Sequence, residues 1–114
     1  MKFSDSLKKK QDFQQVYRKG TSVANRYLVM YVLPNGGKEN RLGISVSKKV
    51  GNSVVRHRIT RLIRESYRLN EEQFLPGMDI VVSARPTASD IDFHTVQKGL
   101  LHLAAKTKIL EGKP

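Results

Sequence analysis

The chain has 114 residues, with 21 Lys and Arg against 10 Asp and Glu and a formal charge of +11 at neutral pH. That length suits one domain over residues 1–114, and 39% hydrophobic with 27% charged residues is a globular composition, neither disordered nor membrane-spanning. The lack of cysteine excludes a disulfide framework, a thiol nucleophile and a thiolate metal site, while the positive excess points to a polyanion, most often nucleic acid and less often an anionic membrane.

In chain order, Met1 to Leu7 runs into Lys8-Lys9-Lys10 with no apolar stretch, so no signal peptide is expected. No segment has the roughly 18 continuous apolar residues of a membrane span. A cytoplasmic protein with no membrane partner is the expectation. Phe13, Val16 and Tyr17 recur at i, i+3 and i+4 and predict a short helix from about Gln11 to Lys19, stopped by Gly20. The aromatic and β-branched run from Arg26 to Leu33 predicts a strand, and Pro34-Asn35-Gly36-Gly37 predicts a hairpin turn after it. From Arg41 to Lys48, Leu42, Ile44 and Val46 alternate with Gly43, Ser45 and Ser47, which predicts a half-buried strand.

Gly51-Asn52-Ser53 opens a long helix to about Leu69, with Asn52 or Ser53 as its N-cap. Pro76-Gly77 marks a turn, and Asp79 to Arg85 a buried strand closed by Pro86. Asp92 caps a last helix whose stripe is Phe93, Val96, Leu100, Leu103, Thr107 and Leu110. Two or three strands fall between the first two helices. The predicted class is α+β, a single mixed sheet packed with helices in the order α-β-β-β-α-β-α.

The stretch from Lys48 to Arg68 carries Lys48, Lys49, Arg56, Arg58, Arg61, Arg64 and Arg68 against one acid, Glu65. On a helical wheel Val55, Ile59, Leu62, Ile63 and Ser66 centre on one face. His57, Arg61, Arg64 and Arg68 fall almost opposite, and Arg56 and Arg58 flank them. The result is a basic ridge roughly 17 Å long. A merely solvated face normally mixes signs at i, i+4. This ridge has one sign and uses Arg, whose planar fork matches phosphate and stacks on bases. Nucleic-acid binding is the expected role.

The second constellation is aromatic. Phe13 and Tyr17 lie one turn apart, and Tyr27 and Tyr31 are expected on one face of the first long strand. Exposed rings beside cations hold single-stranded nucleic acid by stacking. Phe13 is as readily a core residue, whereas the hydroxyls of Tyr17 and Tyr31 suit a wet surface. Gly43, Ser45 and Ser47 offer a small-residue floor that a sugar–phosphate chain could enter.

No catalytic set emerges. The only histidines are His57, His94 and His102, and the last two have no carboxylates at metal-ligand spacing. No acidic cluster stands near the basic helix to hold magnesium. Lys49-Val50-Gly51-Asn52-Ser53 lacks the phosphate-loop pattern. No metal site and no small-molecule substrate are expected.

From Arg41 through Ser47-Lys48-Lys49-Val50-Gly51-Asn52 to the Arg-rich run ending at Glu65, the sequence resembles the protein subunit of bacterial ribonuclease P. The likeness extends to Asp12–Tyr17, Gly20–Arg26 and Ile80–Arg85, in the family's order. The resemblance implies an accessory protein of a ribonucleoprotein in which the RNA is the catalyst and requires Mg2+, with no cofactor on the protein itself. Its implied partners are that catalytic RNA and precursor tRNA, whose 5′ leader the complex removes.

Carried onto this chain, contacts to the catalytic RNA fall on Lys48, Lys49, Asn52, Arg56, His57, Arg58, Arg61, Arg64 and Arg68. Contacts to the leader fall on Phe13, Tyr17, Tyr31, Ser45 and Ser47. The family also implies a left-handed strand–helix–strand crossover, against the usual rule. Two positions depart from the family pattern: His57 replaces a usual Asn, and Thr60 a usual basic residue. The alternative reading is a general RNA-binding or ribosomal protein, with a protein nuclease third.

Overall fold

Five strands share one mixed sheet in the computed structural model, which describes residues 4–111. The first three residues of the stretch read as lacking a signal peptide lie outside that range. The strands are β1 (Ser4–Ser6), β2 (Thr21–Ala24), β3 (Leu28–Pro34), β4 (Asn40–Ser45) and β5 (Met78–Ala84). Their spatial order is β1-β4-β5-β3-β2. Three α-helices join them: α1 (Lys10–Lys19), α2 (Ser53–Asn70) and α3 (Phe93–Lys106). The chain is thus the predicted α+β, single-sheet architecture, with β1 added before the first helix. β1 is Ser-Asp-Ser and carries no hydrophobic signal; backbone pairing, parallel to β4, is what makes it a strand.

The turn at Pro34-Asn35-Gly36-Gly37 does not close a hairpin. β3 and β4 follow each other in sequence, yet β5 lies between them, antiparallel to β3 and parallel to β4. The turn residues suit a sharp reversal: Gly36 has φ +74, and Asn35 Oδ1 accepts from the Gly37 N–H. A turn signal reports the reversal, not the partner. Ile80, Val81 and Val82 are wholly buried, and a strand apolar on both sides takes the centre of a sheet.

The hairpin that does form joins β2 to β3. Asn25 closes it: its backbone N–H donates to Leu28 O, while its side-chain oxygen accepts from the N–H groups of Tyr27 and Leu28.

Alternation along the strands feeds two apolar clusters. Leu28, Met30, Val32, Leu42, Ile80 and Val82 meet α2 and α3 through Ile59, Ile63, Tyr67, Val96, Leu100 and Leu103. On the other face Val81 packs with Leu7 and Val16, joined by Phe13, Tyr31 and Leu33 beneath α1. The wheel missed Tyr67, a large, fully buried side chain. Its hydroxyl lies 2.7 Å from Ser4 Oγ, and Asn40 Nδ2 donates to it at 3.4 Å, so a polar tip inside the core is satisfied.

Two further expectations need correction, while Gly20 ends α1 as expected, in extended backbone at φ −78 and ψ 164. It is glycine because a Cβ there would stand 2.6 Å from Val16 O and 2.8 Å from Val32 O. First, α3 stops at Lys106, and Leu110 lies beyond it, bridged to Phe74. Lys108 at φ 61 turns the chain there. Second, β4 ends at Ser45, so Ser47 is not a strand residue.

Candidate nucleic-acid interface

The basic helix begins where its cap places it. Asn52 Oδ1 accepts from the Val55 N–H at 3.0 Å, which commits that oxygen to the helix first. Before it, Ser47 shapes a tight turn, its Oγ accepting from the Lys49 N–H and its carbonyl from the Val50 N–H. Lys48 and Lys49 project from that turn, exposed.

Along α2, Ile59, Ile63, Ser66 and Tyr67 are buried, while His57, Arg58, Arg61, Arg64 and Arg68 are exposed. The members differ in freedom. Arg58 Nη2 donates to the Ile91 carbonyl, which draws its guanidinium toward the start of α3. Arg56 is half-buried, and its Nε is hidden without a hydrogen-bond partner among the described residues. Arg68 is not part of an uncompensated ridge: both its Nε and Nη2 donate to Glu65, whose carboxyl is thereby held below its ordinary range. Sign counting alone hid this i, i+3 pair. Arg61 and Arg64 remain, with Arg58, around a groove floored by Leu62 and Phe93. Thr60 donates to the Arg56 carbonyl at 2.8 Å, a bond within the helix rather than a contact held outward.

The opposite sheet face carries the rings. Tyr17 and Tyr31 meet edge to face, centroids 4.8 Å apart at 81°, and Phe13 lies 6.4 Å from Tyr17. Tyr17 is 39% exposed, enough to leave one side of the ring to solvent. Phe13 covers Gly43; a Cβ at Gly43 would stand 2.6 Å from Phe13 Cζ. Gly43 therefore seats a ring and is no open groove floor. Tyr27 also departs from expectation: it packs with the α2–α3 cluster, away from Tyr31.

The open floor lies one step further along the strands. Gly43, Val81, Tyr31 and Ser22 align across the sheet beneath α1. The next row on that face is Ser45, Ser83, Val29 and Ala24, each half-buried or exposed. Ser83 and Val29 join the candidate cleft only through cross-strand register. Of the expected leader residues, Phe13, Tyr17 and Tyr31 cluster, Ser45 lies in the next row of the same face, and Ser47 sits in the turn leading from β4 to the basic helix.

At the other end of the same face, Arg41 grips Asp79 with two hydrogen bonds of 2.8 and 2.6 Å, and Asn35 adds a third at 3.0 Å. Arg41 also reaches Asp12 at 3.5 Å, pinning α1 to the sheet. Among the described residues no group of three or more His, Cys, Asp or Glu gathers to hold a metal, and no helix is long and apolar enough to cross a membrane.

A mixed sheet with a cationic helix on one face and a cluster of Phe13, Tyr17 and Tyr31 on the other defines a small, strongly basic α+β protein with two separate surfaces. Comparison with known proteins narrows this. The sequence matches the Ribonuclease P family over residues 1–108. It is 57% identical over 107 residues to the ribonuclease P protein component of Lachnoclostridium phytofermentans, covering 94% of this chain and 92% of that one. It is 48% identical to the component from Alkaliphilus metalliredigens, covering 96% and 99%.

Its fold superposes on the Staphylococcus aureus RNase P protein with a TM-score of 0.87 at 42% identity, covering 95% and 99%. The Thermotoga maritima RNase P protein gives 0.83 at 35% identity, with the same coverage. The chain belongs to the ribonuclease P protein family, and so to the protein side of a ribonucleoprotein that processes tRNA.

Proposed function

We propose that this chain binds the catalytic RNA of ribonuclease P through Lys48, Lys49 and the exposed arginines of α2. In this reading it holds the 5′ leader of precursor tRNA in the cleft of Phe13, Tyr17, Tyr31 and Ser45, in the cytoplasm. The observation that carries it is the separation of the two surfaces on opposite faces of one sheet, so two RNAs can be held at once. Phosphates on α2 release condensed counterions, which makes that contact salt-dependent. The leader, being single-stranded, offers bare bases to the rim formed by Tyr17 and Tyr31, and the row from Ser45 to Ala24 leaves room for its backbone. Hydrolysis belongs to the RNA and its Mg2+; the protein supplies cations and position.

Tyr17→Ala tests the cleft. It should cost about 1–3 kcal/mol in affinity for precursor tRNA and leave mature tRNA, which lacks the leader, unaffected. Equal losses on both tRNAs refute the leader assignment. Purified protein with Mg2+ but no catalytic RNA should leave precursor tRNA intact; cleavage there would favour a protein nuclease.

A further inference from the structure

A mostly apolar hollow rimmed by cations lies on the α2–α3 side of the sheet, at its β2 edge. The β2–β3 turn and the outer side of α3 border an open crevice of about 270 Å³ lined by Arg26, Tyr27, Lys98 and His102 among others. Among the described residues no carboxylate lines it. The Arg26 guanidinium lies over the Tyr27 ring, 5.5 Å from its centroid, a cation–π contact at the crevice. Lys98 and His102, one helical turn apart, are exposed and make no hydrogen bond or ion pair with any described residue.

The hollow is braced from both sides. Asn25 Nδ2 donates to Gly99 O at 3.2 Å, and a Cβ at Gly99 would press to 3.0 Å on that same nitrogen. Arg85 donates to Asn25 O at 2.8 Å and Thr87 to Arg26 O at 2.6 Å. A preformed site gives up little freedom on binding.

We propose that this crevice takes one unpaired nucleotide of the ribonuclease P RNA, its base against Tyr27 and Arg26 and its phosphate on Lys98 and His102. Its volume falls below the roughly 300–1,000 Å³ of sites for drug-sized ligands, which suits one ring system and not a base pair. The source follows from placement. α2 packs over β4, and α3 packs over β3 and β2 on the same side of the sheet. An RNA lying on the α2 ridge thus continues across α3 to the crevice, whereas the Tyr17–Tyr31 cleft is on the other side. The proposal rests on the reading of α2 as the site for that RNA.

The exposed pair Lys98→Ala with His102→Ala should fold normally and lower the slope of log K against log salt for the RNA by about 0.7, the value for one single-strand phosphate. The chain has no cysteine, so Ala105→Cys, exposed on α3 seven residues beyond Lys98 and outside the crevice lining, can carry one tethered cleavage probe in the holoenzyme. Cuts confined to one unpaired segment of the ribonuclease P RNA support the crevice. Cuts only in precursor tRNA, or none, overturn it, as does an unchanged slope. The Arg61→Ala/Arg64→Ala variant separates the two failures. If it weakens binding while the crevice variants do nothing, the crevice alone is wrong; if it too does nothing, the α2 reading falls and the crevice with it.

Discussion

Gly43 and Gly20 both sit where another chain segment comes close, yet the obstacles differ in kind. At Gly43 the nearest atoms belong to Phe13, a ring that can tilt; at Gly20 they are two backbone carbonyl oxygens. Gly43→Ala should therefore cost about 1–3 kcal/mol by overpacking. Gly20→Ala should cost more, because relief requires moving α1 against β3. Urea denaturation of the two variants checks the order.

Asp79 makes a pH prediction. Burial opposes its ionisation, but the hydrogen bonds from Arg41 and Asn35 and the Arg41 charge outweigh it, so its carboxyl sits below the ordinary value. A depressed carboxyl stabilises the fold above its unfolded value, near pH 4, and that contribution is lost as pH falls through the folded value. Asp92, capping α3 at the Thr95 N–H, is shifted the same way, so the acid limb has more than one source. Asp79→Asn should lower stability at neutral pH and flatten its fall below about pH 4. An equally steep limb in denaturation at stepped pH would show that the Arg41–Asp79 pair contributes nothing.

On α2, burial and charge separate cleanly. Ile59 is completely buried, and Ile59→Ala should destabilise the fold by about 2–5 kcal/mol. Arg61→Ala with Arg64→Ala should leave the melting curve intact and reduce the salt slope of RNA binding by somewhat under two units. Glu65→Ala should tighten RNA binding, because it frees Arg68 and removes an acid from the groove; weaker binding would mean that Glu65 holds Arg68 in the useful position.

Much of this helix was legible beforehand. The 3.6-residue period placed Ile59, Ile63 and Ser66 inside and Arg61 and Arg64 outside, and residue type narrowed the cap to Asn52 or Ser53, of which Asn52 takes it. The period could not show that Tyr67, with a polar tip, has partners inside on β1 and β4, since Ser4 and Asn40 are remote in sequence. Nor could a count of signs show that Arg68 is already spent.

For the whole molecule, class and layering could be read from the alternating patterns, but strand neighbours could not. Pairing depends on which apolar strand wins the centre, a competition among distant segments. The cleft inherits that ignorance: its aromatic rim was visible in residue spacing, whereas Ser83 and Val29 enter through register alone. Tyr27 shows the same limit, because the strand begins one residue after it and the alternation that grouped it with Tyr31 does not reach back that far.

The interposed position of β5 has a consequence for birth on the ribosome. Synthesis delivers β3 and β4 well before Met78–Ala84, the strand that must slide between them. Until then each exposes an unpaired edge, the template on which chains aggregate. The sheet cannot assemble progressively from the N-terminus, because its centre arrives after its flanks, and such non-local pairing is slow to form. A fragment ending at Gly77 should accordingly show no cooperative melting transition by circular dichroism, despite containing four of the five strands and two of the three α-helices. A sharp transition in that fragment would mean that the flanks find another way to close.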